Sequence, residues 1–147
     1  MRGRMLSLLL CALALGGCGG GHDETASTTT ARPQAVVRYA REPTTACLKR
    51  EGYRVSTRAK DVGFIAYTAV GGGLRATRQG GGDVILAFGV DGDDAAQTLA
   101  GITKAEEDEN AQLFRTHFRK SNVAIVWAYL PTGPQKKTVY GCLTSAG

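Results

Sequence analysis

The sequence predicts an α+β domain: a mainly antiparallel sheet with helices packed on one face. Two unbroken apolar runs, Val84–Val90 and Val123–Trp127, are rich in β-branched and aromatic residues and read as central strands. Each follows a tight turn signal, Gly80-Gly81-Gly82 and Ser121-Asn122, so each is expected to close a hairpin. Between the runs, Ala95, Ala96, Leu99, Ile102 and Ala105 recur at helical spacing.

From the start of the domain, Thr44 or Thr45 can cap a helix through Glu51, with Gly52 at its C′ position and Cys47 and Leu48 on its buried side. Tyr53–Thr57 alternates and reads as a strand. Asp61–Val70 fits helical spacing and alternation equally well; the Asp at its start and Gly71 at its end favour a helix. Leu74–Arg78 is a short strand flanked by two glycine triplets, and it pairs with Val84–Val90 through the turn at 80–82. Asp91-Gly92-Asp93-Asp94 opens the next helix, its acidic residues suiting the positive N-terminal end. Glu106-Glu107-Asp108-Glu109 opposes the dipole at the other end and reads as a solvated face. Leu113–Lys120 and Val123–Leu130 form the second hairpin, Pro131–Pro134 breaks it, and Gln135–Leu143 is a last helix carrying Cys142. The order is α-β-α-β-β-α-β-β-α. Its middle, β-α-β-β-α-β, has the connectivity of ferredoxin-like split βαβ folds, with the second sheet face partly wet or covered by a partner.

The residues before the domain have another character. Arg2 and Arg4 precede an apolar stretch of eleven residues, Met5–Leu15, broken only by Ser7, and then Gly16-Gly17-Cys18. A helix spanning a bilayer needs about twenty apolar residues, so this stretch is too short to be one. A basic start, a short apolar core and small residues at the exit are the pattern of a removed secretory signal. Leu15-Gly16-Gly17-Cys18 resembles the lipobox of bacterial lipoprotein signal peptides. The resemblance implies that Met1–Gly17 is removed, that Cys18 carries a diacylglyceryl group, and that membrane lipid is therefore a partner. The expected location is the cell membrane, lipid-anchored, on its extracytoplasmic side. Residues 18–34 have no aliphatic or aromatic residue other than alanine after Cys18 and read as a flexible tether. Residues 35–147 then form a single domain, near the common domain size.

Losing Arg2 and Arg4 with the signal leaves 16 basic against 13 acidic residues, a mild net +3 with the charges interspersed. That pattern gives no reason to expect a nucleic-acid partner. Of four cysteines, Cys11 leaves with the signal and Cys18 is lipidated, so Cys47 and Cys142 remain. In an oxidising compartment such a pair bridges, and it would staple the first and last helices together.

Candidate chemistry is sparse. Gly71-x-Gly73-x-x-Ala76 matches a degenerate dinucleotide fingerprint, but the segment after it is too short for the required helix, and flexible strand-end loops explain the glycines. Arg75 and Arg78 read as a solvated edge. The Asp91 cluster lacks the later carboxylate of a calcium loop and reads as a turn and N-cap. His22 falls in the tether. His117 is the domain's one histidine, expected to be exposed between Arg115 and Arg119, and no G-x-S-x-G motif surrounds Ser56, Ser121 or Ser145. Phe88, Trp127 and Tyr129 read as core and strand residues. No cofactor and no metal is expected. The leading expectation is a non-enzymatic envelope module that binds a protein partner or a small ligand. The alternatives are a small extracytoplasmic hydrolase using His117, and a structural or inhibitory module presenting a sheet face to a partner.

Overall fold

A computed structural model of the chain describes residues 37–108 and 116–143. The signal, Cys18, the tether with His22, Glu109 and the start of the fourth strand lie outside the described residues. The architecture is α+β. Five strands, β1 (Arg54–Ser56), β2 (Gly73–Thr77), β3 (Val84–Phe88), β4 (Thr116–Lys120) and β5 (Val123–Trp127), form one sheet in the order β1-β2-β3-β5-β4. Every neighbouring pair is antiparallel. The helices are α1 (Arg41–Arg50), α2 (Ala59–Val62), α3 (Phe64–Tyr67), α4 (Gly92–Asp108) and α5 (Gly133–Cys142).

Helices cover both faces of this sheet, not one. Leu74, Ala76, Val84, Leu86, Phe88, Val123, Ile125 and Trp127 face Leu48 of α1 and Val139 and Cys142 of α5. The alternate residues Ile85, Ala87, Ala124 and Val126 face Val62, Ala66, Leu99 and Ile102 of α2, α3 and α4. All five residues of β3 and of β5 are consequently buried. Strand side chains alternate between faces, so a strand with both faces covered needs an apolar residue at every position.

The ferredoxin-like expectation holds for half of the sheet. β5 lies between β3 and β4 and is antiparallel to both, so β3-α4-β4 is a split βαβ unit. The other half departs from it, because β1 pairs directly with β2 and no strand separates them. The α2–α3 connection between β1 and β2 is too short and too broken to act as a crossover to a distant strand.

Local chemistry accounts for the element ends. α1 starts at Arg41, before the expected threonine cap, because Pro43 falls in the first turn, where a missing N–H costs nothing. Thr44 is buried instead of capping. Helix forms only in part of the 61–70 segment: Gly63, with φ +87°, separates α2 from α3, and α3 ends at Tyr67. α4 opens as expected: Asp91 Oδ1 accepts from the N–H groups of Asp93 (3.0 Å) and Asp94 (2.9 Å). α5 starts two residues early, at Gly133, because Thr132 and Gln135 form a reciprocal capping box. Both hairpins form where the turn signals placed them, with positive φ at Gly80, Gly81 and Gly82 and at Ser121.

Candidate functional site

The domain's one histidine is half-buried, which corrects the expectation of an exposed residue. β4 is an edge strand, and α4 packs against its inner side. His117 therefore points at a helix instead of solvent. Thr103 and Glu106, three residues apart on α4, share a helix face and meet its ring. His117 Nε2 lies 3.0 Å from Glu106 Oε2, and Nδ1 lies 3.3 Å from Thr103 Oγ1. Glu106 is thus no part of a solvated face; its side chain is 15% exposed, and its Oε1 is buried without a protein hydrogen-bond partner. Burial pushes the Glu106 carboxyl up, while the charge and hydrogen bond of His117 pull it down.

The Thr103 hydroxyl is within hydrogen-bond reach of two groups, the Leu99 carbonyl at 3.0 Å, to which it can donate, and His117 Nδ1. Which ring nitrogen donates, to Glu106 or to Thr103, follows the tautomer. The Thr103–His117–Glu106 contacts clasp α4 to the edge of the sheet. Beside it runs an apolar groove of about 420 Å3, floored by Ala96, Leu99 and Ala100, with Lys104, Glu107 and Arg119 adding charge to its lining.

The remaining sequence candidates separate clearly. Cys47 of α1 and Cys142 of α5 form a disulfide, with Cα atoms 5.3 Å apart. The Asp91 cluster has its carboxylates on backbone groups: Asp91 caps α4, and Asp94 Oδ2 accepts from the N–H of Val90 at 3.0 Å. Gly73 starts β2, so no strand–turn–helix surrounds the glycine pattern at 71–76. These glycines are not loose loops either. A Cβ on Gly71 would lie 2.7 Å from the Phe88 Cβ, and one on Gly73 would lie 2.4 Å from the Ala66 carbonyl oxygen. Arg75 departs from a solvated edge: its guanidinium binds both Asp83 oxygens, Nε to Oδ1 at 2.8 Å, and it reaches the Asp61 carbonyl. Arg78 lies over the Tyr53 ring. Phe88 and Trp127 are core residues, but Tyr129 is exposed beyond the end of β5. Among the described residues, no group of three or more His, Cys, Asp or Glu side chains is placed to hold a metal ion, and no helix is long and apolar enough to cross a membrane.

Sequence reasoning passed over Thr103 and Glu106. The available signal was the spacing Leu99-Thr103-Glu106, which continues the apolar stripe of α4 and carries two polar residues onto its packed side. Compared with protein-family models, curated proteins and solved structures, the chain matches none.

Proposed function

We propose that this chain is an exported envelope protein, anchored by lipid on Cys18, whose disulfide-closed domain binds a partner and does not catalyse a reaction. The observation that carries this reading is the Cys47–Cys142 bridge. Disulfides persist in oxidising compartments, and this one joins two cysteines 95 residues apart, outside any CxxC arrangement that would suggest redox catalysis. It agrees with the signal-like start and the Cys18 motif. With helices on both faces of the sheet core, a partner has the α4–β4 groove, the β1–β2 end of the sheet and the loops to recognise.

Intact-mass measurement of protein extracted from membranes tests the anchor. The expected chain starts at Cys18 and carries a diacylglyceryl mass. A Cys18→Ala chain that still pellets with membranes and is still cut after Gly17 would overturn the proposal. A second reading, a small hydrolase, draws on the Thr103–His117–Glu106 alignment. Labelling of Thr103 by an acylating electrophile, abolished in His117→Ala, would support it, and an unlabelled Thr103 would remove it.

A further inference from the structure

The helices α2, α3 and α4 lie on one face of the sheet. α2 packs over β2, α3 over β2 and β3, and α4 over β3, β5 and β4. With the strands in the order β1-β2-β3-β5-β4, α3 is the middle of the three. It also packs on α4: Ile65 Cγ2 lies 3.4 Å from where a Cβ on Gly101 would stand. Val62, Ala66, Leu99 and Ile102 turn towards the sheet, so the opposite sides of all three helices look out from the same side of the domain.

This outward surface is divided into three bands. The middle band is apolar. Phe64 and Tyr67, three residues apart, share the outer side of α3, and Val70 follows; they are 77%, 46% and 71% exposed. Single exposed apolar residues are ordinary, but a contiguous group marks an interface. The band on the α2 side is basic. Arg54, Arg58 and Lys60 are exposed, and the acidic residue among them, Asp61, is held by Arg58 at 2.9 Å and by Ser56 at 2.6 Å. The band on the α4 side is acidic. Asp93, Glu107 and Asp108 are exposed, and Lys104 is paired with Asp108 at 3.0 Å. Among the described residues, no ion pair engages Arg54, Lys60, Asp93 or Glu107.

Turned about a two-fold axis through its middle band, this surface is its own complement. Phe64 and Tyr67 meet their copies at the centre, and the basic band of each copy meets the acidic band of the other. An isologous contact requires that self-complementary order. A partner of another sequence would have to carry the same gradient in reverse, whereas a second copy has it already. An anionic membrane would attract one flank and repel the other. We propose that this surface pairs two copies of the chain as a weak symmetric dimer. α4 is about 25 Å long and packed helices stand about 10 Å apart, so the face presents roughly 500 Å2 per copy. An area of that size holds a reversible dimer. The proposal rests on the reading that the domain binds a partner, and it names that partner. Copies held on one membrane through Cys18 would meet at a raised effective concentration, so a weak affinity is enough.

Both halves of the core and the disulfide lie after residue 36, so the processed chain, residues 18–147 with Cys18→Ala, carries the whole described fold. Sedimentation velocity from about 5 to 500 µM should show a monomer passing to a dimer, the range suited to an interface of this size. Phe64→Ser, at an exposed position, should weaken association about tenfold or more. The decisive measurement swaps the flanks. Arg54→Glu/Lys60→Glu makes both flanks acidic, and Asp93→Lys/Glu107→Lys makes both basic; all four side chains are exposed. Each variant alone should stay monomeric, and an equimolar mixture should dimerise again, because every flank then faces its opposite. A parent chain monomeric throughout the range overturns the proposal, as does a dimer indifferent to Phe64→Ser or a mixture that does not associate. A monomer that instead sediments with phosphatidylglycerol vesicles, and loses them in Phe64→Ser, assigns the face to lipid and overturns it too. None of these outcomes bears on the Cys18 anchor, which the intact mass tests separately.

Discussion

Removing the Cys47–Cys142 bridge should cost this domain much of its stability. The two cysteines are 95 residues apart, so the bridge closes almost the whole domain into one loop. Chain-entropy bookkeeping gives about 4.7 kcal/mol for a loop of that length, nearly all of it from restricting the unfolded chain. A domain of about 110 residues is expected to have only about 5–15 kcal/mol of net stability, so the loss is a large share of the total. Its unfolding entropy is about 0.23 kcal/mol/K, which converts the loss into a fall in Tm of about 20 °C. The assay is thermal unfolding of Cys47→Ala/Cys142→Ala beside the oxidised chain, each with and without reductant. Reductant should bring the oxidised chain down to the level of the variant and leave the variant unmoved. A fall of less than about 5 °C would refute the reasoning, because α1 and α5 would then be held by packing alone and the loop closure would count for little.

Glycine substitutions should differ in sign by position. Gly73→Ala puts a methyl 2.4 Å from the Ala66 carbonyl oxygen and 2.7 Å from Val62 Cγ1, and denaturant titration should show a loss of about 1–3 kcal/mol. Gly141→Ala, in α5 with nothing within 4 Å, should instead gain about 0.5–1 kcal/mol. Asn122 is buried, accepts from the Tyr39 N–H at 2.8 Å, and donates to the carbonyls of Tyr39 (3.0 Å) and Gly89 (2.7 Å). Asn122→Ala should lose about 2–4 kcal/mol for these three bonds, and the Tyr39 amide should lose its protection from hydrogen exchange. Burial raises the Glu106 carboxyl above its ordinary 4.5 in the folded state, so the folded protein holds this proton more tightly than the unfolded chain. Its contribution to stability is full below pH 4.5 and declines as pH rises through the folded value. Glu106→Gln cannot titrate, so the variant should gain on the parent as pH rises from 4.5. A stability difference that stays flat from there to neutrality would contradict the burial of this carboxyl.

Much of the fold was legible because local signals and tertiary packing agree. The unbroken runs at Val84–Phe88 and Val123–Trp127, the glycine turn at 80–82 and the Asp91 cap each specify one outcome, and each forms. The error of one covered face came from applying the antiparallel habit to those same runs. A strand with one wet face alternates, and neither run does; the absence of alternation already called for helices on both sides. The β1–β2 pairing was less accessible, because nothing in Arg54–Ser56 states which strand it will meet. That choice is made by the short α2–α3 link, whose length depends on Gly63 breaking what would otherwise be a single helix.

The sites were harder to read, since each depends on residues far apart in sequence. The Glu106–His117 contact spans a β–α packing interface, and an acidic run near a helix end gives no notice that one member turns inward. The buried side-chain groups without a protein partner, on Thr44, Tyr53, Glu106 and Trp127, come from separate elements with no common motif. Even so, the physical rule that exposes both is the same and can be applied to sequence. A polar residue set within a buried stripe must find a partner, and where the protein supplies none, the partner comes from outside. Trp127 ends a strand that is apolar and buried at every position, so its N–H was the one polar side-chain group in Val123–Trp127 to pose that question. Glu106 meets His117 through one oxygen only; its Oε1, like Tyr53 Oη and Trp127 Nε1, is buried without a protein hydrogen-bond partner.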